Sequence, residues 1–235
     1  PKKAPLTHFL CLPLITSSSR PEIEASLNAF KDSITTSIHP KAIRPVGTLH
    51  LTLGVMSLDP TKLAAAVNFL KELDLKSMLD GASPGSVNGS QTESKLDLKG
   101  LESMHPPQKT SILYAAPTDR TGRLYPFCLA LQEAFNEKEF LVSDDRKLKL
   151  HATLVNTIYA KDRGKPTKPQ INAQVSNIPI RTQNNADAVK GHGPDANAHL
   201  KLDARSLIDK YKDYVWAEQI TLDRVAICEM GAKKI

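Results

Sequence analysis

The chain has 235 residues, 40% hydrophobic and 24% charged, with a formal net charge of +6 and a pI of about 9.2. That is long enough for a real core, in one large domain or two small lobes, and the composition excludes a disordered, collagenous or disulfide-stapled chain. The positive charge admits an anionic partner without demanding one. Cys11, Cys128 and Cys228 stand far apart in apolar strings with no CxxC pair. This usage points to reduced thiols in an intracellular compartment rather than to a zinc site. The run from Phe9 to Ile15 is short and broken by Pro13, so it reads as a strand rather than a signal peptide. No run reaches membrane-spanning length. The chain opens on Pro1 rather than Met, so it is expected to be an excised piece of a longer protein.

In chain order, Leu6 to Ile15 reads as a buried strand. Pro21 opens a helix whose stripe Ile23, Leu27, Phe30, Ile34 and Ile38 follows helical spacing. A strand from about Thr48 to Ser57 follows, then a helix capped by Asp59 and started by Pro60, with Leu63, Val67 and Leu70 inward. Gly81 to Thr92 is a polar loop, and Ser94 to Met104 a strand. After His105-Pro106-Pro107 the order repeats: a strand from Thr110 to Pro117, a helix near Gly122 to Asn136, and a strand from Lys147 to Tyr159. A polar insert at about 161–198 is expected to be a long mobile loop. Asp203 then caps a short helix, and Ile220 to Met230 forms a final strand. The expected organisation is α+β: a single domain over 1–235, with lobe 1 at about 1–105 and lobe 2 at about 106–235.

The repeat is visible in sequence at one place. Leu49-His50-Leu51-Thr52-Leu53 returns as Leu150-His151-Ala152-Thr153-Leu154. A strand alternates faces with period two, so His and Thr share one face and the apolar residues share the other. One copy alone would read as a strand with a wet polar face; two copies in the same apolar frame point to a shared site. Two imidazoles on opposite sides of a phosphodiester can take a proton from the attacking oxygen and give one to the leaving oxygen. The two threonine hydroxyls can donate to the phosphate oxygens where negative charge gathers. That chemistry needs no metal or cofactor, and no HExxH string or Asp-rich cluster is present in the sequence.

These paired motifs resemble the 2H phosphoesterase, or LigT-like, superfamily. Thr7-His8-Phe9-Leu10, the glycine after the first motif (Gly54), Asn156-Thr157 after the second, and Asp203-Ala204-Arg205 narrow the resemblance. They are similar to the branch found in A-kinase anchor protein 7 and in the C-terminal domain of activating signal cointegrator complex subunit 1, the latter nearer. The resemblance implies a bilobal, duplicated fold with two pseudo-symmetric sheet-and-helix lobes around a central cleft. It also implies metal-independent action on 2′,5′- or 2′,3′-cyclic phosphodiester bonds of RNA or nucleotides.

His50, Thr52, His151 and Thr153 are the expected catalytic residues. Tyr159 and Phe9 are candidate substrate contacts, each weighed against a core role, and Arg205 is a candidate phosphate ligand, weighed against a surface ion pair. The alternative function is a nucleotide- or RNA-binding scaffold domain of a nuclear coactivator complex with little turnover; kinase anchoring through the Ile23–Ile38 stripe is a weaker third. The expected partners are RNA or a nucleotide and, in the second reading, coactivator subunits. No membrane association is expected, the chain should be monomeric outside such a complex, and the location should be nuclear or cytoplasmic.

Overall fold

The computed structural model describes residues 4–34, 38–82, 95–160 and 200–232. The expected insert at 161–198 and most of the loop from Gly81 to Thr92 lie outside the described residues. In chain order the elements are β1 (His8–Pro13), α1 (Arg20–Ser33), β2 (His50–Met56), α2 (Pro60–Glu72), α3 (Leu75–Gly81), β3 (Lys95–Ser103), β4 (Ile112–Thr118), α4 (Leu124–Glu137), β5 (Ala152–Asn156), α5 (Arg205–Tyr211), β6 (Val215–Thr221) and β7 (Ala226–Glu229). The class is mixed α/β, and all the strands join one antiparallel sheet of order β6-β3-β4-β5-β2-β1-β7.

Local chemistry sets the elements. Pro21 sits in the first turn of α1, where its missing N–H costs nothing, and Ile23, Leu27 and Phe30 bury one face. Ile34 and Ile38 continue that apolar series in space but not in helix, since α1 ends at Ser33. The Asp59 carboxylate accepts from the Lys62 N–H at 2.8 Å and caps α2, as its sequence position predicts. On α2 the most buried residue is Ala66, with Leu63, Val67 and Leu70 partly covered beside it.

β3 closes the first half of the chain but pairs with β4 and β6, while β7 returns from the end of the chain to pair with β1. The helices cross over in the same way. Phe30 of α1 packs at 5.2 Å from Trp216 of β6, and Gln132 of α4 donates to the Leu53 carbonyl of β2 at 2.7 Å. One apolar cluster therefore draws on residues from both halves of the chain.

Three expectations need correction. The strand expected at Lys147 to Tyr159 is only Ala152–Asn156, and a 3-10 turn at Thr157–Ala160 follows it. The final strand is two, β6 and β7, separated by Leu222 to Val225. Asp203 does not cap α5 at its N-cap position, which Ala204 occupies; its carboxylate instead takes the Arg205 N–H at 3.2 Å. The short helix α3 was not read from the sequence. Asp74 starts it, accepting from the Ser77 N–H at 3.0 Å.

Candidate active site

The motif strands are neighbours. β2 and β5 meet in antiparallel register at Leu51 opposite Ala152. One step either way along that register sets His50 opposite Thr153 and Thr52 opposite His151. Directly opposed residues share a face, so the two histidines and two threonines gather on one patch of sheet. Burial follows the predicted alternation. Leu49, Leu51, Leu53, Ala152 and Leu154 are buried and His50, Thr52, His151 and Thr153 half-buried; Leu150, which precedes β5, departs from the pattern and is half-buried as well.

Both imidazoles are held by the same bond. His50 Nδ1 lies 2.6 Å from the Thr48 carbonyl oxygen, and His151 Nδ1 lies 2.7 Å from the Lys149 carbonyl oxygen. A carbonyl oxygen only accepts, so Nδ1 carries the proton in each ring and Nε2 bears the lone pair of the neutral form. In each copy the acceptor is two residues before the histidine. Among the described residues, the Thr52 and Thr153 hydroxyls have no protein hydrogen-bond partner, and both remain available to a ligand.

Each histidine also has an aromatic neighbour from the strand that opens its half of the chain. Phe9 of β1 stacks on His50 with centroids 4.7 Å apart, and Tyr114 of β4 meets His151 edge-on at 5.4 Å. Phe9 was a sequence candidate; Tyr114 was not. The duplication could have found it, because Phe9 stands three residues after Leu6 and Tyr114 three after Ser111, the matching starts of the two halves. Tyr114 is buried and its hydroxyl donates to the Glu102 carboxylate of β3. Burial first, and that carboxylate second, push its hydroxyl pKa upward, so it stays protonated. The Lys149 ammonium lies over the Tyr114 ring, 4.8 Å from its centroid. Burial lowers the His151 pKa and the Lys149 charge adds to the lowering, against the raising effect of the Lys149 carbonyl bond.

The outlying candidates stand elsewhere. Because β5 ends at Asn156, the parity that would have aligned Tyr159 with His151 is broken by the 3-10 turn. Tyr159 is exposed, with the Arg44 guanidinium 3.9 Å over its ring. The Arg205 guanidinium is engaged by Asp203 through two parallel contacts, Nε to Oδ1 at 3.0 Å and Nη2 to Oδ2 at 2.6 Å, on an exposed surface. That is the surface ion pair weighed in the sequence reading. Among the described residues no cluster of three or more His, Cys, Asp or Glu side chains is arranged to hold a metal ion.

Paired His-x-Thr strands side by side in an antiparallel sheet define the class of the 2H phosphoesterases. The chain belongs to the AKAP7 2'5' RNA ligase-like domain family, whose model matches residues 6–235. It is also similar to the uncharacterized protein C15D4.13c of Schizosaccharomyces pombe, with 26% identity over 228 residues, covering 95% of this chain and 86% of that protein. Membership of this family points to 2H phosphoesterase-type activity.

Proposed function

We propose that the protein is a metal-independent phosphodiesterase acting on 2′,5′- or 2′,3′-cyclic phosphodiester bonds of RNA or nucleotides. The observation that carries this reading is the doubled geometry: two half-buried histidines, each with Nδ1–H bound to the carbonyl two residues back, at the starts of the adjoining strands β2 and β5. A phosphodiester seated between them meets one Nε2 on the side of attack and one on the side of departure. The Thr52 and Thr153 hydroxyls then donate to the non-bridging oxygens, whose charge grows in the transition state. Imidazole is suited to both proton transfers because its ordinary pKa lies near neutrality.

The test is incubation in excess EDTA with a 2′,3′-cyclic nucleotide and, separately, with 2′,5′-linked oligoadenylate, followed by product chromatography. Turnover of either that survives the chelator supports the enzyme. Tight nucleotide binding without turnover would replace this reading with the binding-scaffold one, and turnover abolished by EDTA would contradict the metal-independent chemistry.

A further inference from the structure

The fold treats the three cysteine thiols differently. Cys128 is buried on α4, where burial first and the Asp119 charge second push its thiol up to about 12, so it stays protonated. Cys11 and Cys228 are 217 positions apart in sequence, yet their sulfurs stand 3.7 Å apart on the neighbouring strands β1 and β7. In that register Cys228 is opposite Phe9 and Cys11 opposite Ala226, so the two thiols are diagonal neighbours on one face of the strand pair.

That face also bears the motifs. Along β1, Leu10 and Leu12 belong to the apolar core, and a strand alternates, so Phe9 and Cys11 lie on the other side. Cys11 stands opposite Thr52 in the β1–β2 register, and Phe9 stacks on His50. One thiol therefore adjoins a motif threonine, and the other adjoins the ring that rests on a motif histidine.

We propose that Cys11 and Cys228 are a peroxide-sensitive dithiol, which closes to a disulfide within the chain and slows the site beside it. The bond is independent of the phosphodiesterase reading; its effect on turnover rests on that reading.

Exposure sets the order of events. Cys228 is partly exposed and Cys11 is buried, so hydrogen peroxide meets Cys228 first. The Cys228 thiolate attacks one peroxide oxygen, the O–O bond breaks, and the sulfenic acid forms with release of water. The Cys11 thiolate then attacks the Cys228 sulfur, and the sulfenic oxygen leaves as a second water. Two thiols have lost two electrons and two protons, and one peroxide has become two waters. A dithiol reductant reverses the bond by exchange.

The bond has a mechanical consequence. A disulfide holds its sulfurs about 2.05 Å apart, so these two must approach by about 1.7 Å. β7 is a four-residue strand at the end of the sheet order, and β1 carries Cys11 and Phe9. Both strands share the shift, and the part taken by β1 moves Phe9 against His50 and Cys11 against Thr52.

The first test treats the reduced protein, C11S, C228S and C128A with hydrogen peroxide. In the unaltered protein the free thiols counted after denaturation should fall from three to one per chain, and a non-reducing peptide map should join Cys11 to Cys228. Dithiothreitol should restore all three. C128A should form the same bond, and C11S and C228S should form none within the chain. Thiols that stay at three, a bond to Cys128, bonds only between chains, or sulfinic acid alone would overturn the dithiol.

The second test reads the site. Oxidation should move the His50 imidazole resonance in NMR spectra. It should also lower kcat/KM on a 2′,3′-cyclic nucleotide on the order of ten- to a hundredfold, the scale on which a displacement near 1 Å acts. Dithiothreitol should reverse both changes, and peroxide-treated C228S should show neither. Equal turnover in the oxidised and reduced protein would overturn the control of the site. Absence of turnover in the reduced protein would instead sink the phosphodiesterase reading, and the peptide map and the His50 resonance would still decide whether the dithiol closes and acts on the site.

Discussion

The Nδ1–H bond to the carbonyl two residues back fixes tautomer and ring orientation together, and it does so twice with nearly the same length. The hydroxyls of Thr52 and Thr153, set across the seam from the opposite histidine, complete the patch. Thr52→Val and Thr153→Val, which keep the branched shape and remove the donor, should each lower kcat/KM by about 2–4 kcal/mol of transition-state stabilisation. Losses near zero from both would mean that the hydroxyls do not meet the developing charge. These four residues were legible in the sequence because parity on a strand is a local property: it needs only two neighbours on each side. Tyr114 was not, since its contact with His151, like the seat of the Lys149 ammonium over its ring, depends on cross-strand register, which no single stretch encodes. The proximity of Cys11 and Cys228, with sulfurs 3.7 Å apart, was hidden for the same reason.

Among the elements, those with punctuation were read well and those without were not. Pro60 after Asp59 marks the start of α2 by its own chemistry, and Asp59→Ala should lower stability by about 1 kcal/mol, a fall of roughly 2–4 °C in Tm for a chain of this length. β5 was overextended because Ile158 and Tyr159 continue an apolar string past Asn156, where the Asn156 side chain instead accepts from the Ile158 N–H at 3.1 Å and turns the chain. Most of β6 was missed because Glu218 and Gln219 interrupt its apolar Val215-Trp216-Ala217 start before Ile220, and its partner is β3, more than a hundred residues earlier in sequence. The β3–β6 join has a requirement of its own at Gly100. Its φ is +67°, a Cβ there would stand 2.8 Å from the Lys212 carbonyl oxygen, and its own carbonyl accepts from the Trp216 indole N–H at 2.7 Å. Gly100→Ala should therefore cost about 1–3 kcal/mol for the left-handed backbone alone, with the crowding added, read as a lowered midpoint in urea unfolding. An unchanged midpoint would show that this position tolerates a side chain.

At the scale of the whole molecule, the positive charge is concentrated away from the paired motifs in sequence. Residues 161–190 carry six Lys/Arg and two Asp, so +4 of the chain's +6 falls in a segment outside the described residues. If that charge guides RNA to the site, affinity for an oligonucleotide should fall with salt by roughly 0.7 log units per log unit for each phosphate contact, so about 2 to 3 for three or four contacts. Deleting the insert should flatten the slope for the oligonucleotide and leave a mononucleotide nearly unaffected. An unchanged slope would make the segment a solvated loop, and loss of both ligands would mean damage to the fold.

The central claim is that His50 and His151 form one catalytic pair across the seam between β2 and β5. The measurement that tests it most directly is kcat/KM on a 2′,3′-cyclic nucleotide in EDTA for the unaltered protein, H50A, H151A and the double variant, with nucleotide affinity measured alongside. Each single variant should lose on the order of a hundredfold or more while still binding nucleotide, and the double variant should lose much less than the product of the two. Mild losses from either histidine, or losses that multiply as though the two acted independently, would contradict the pair.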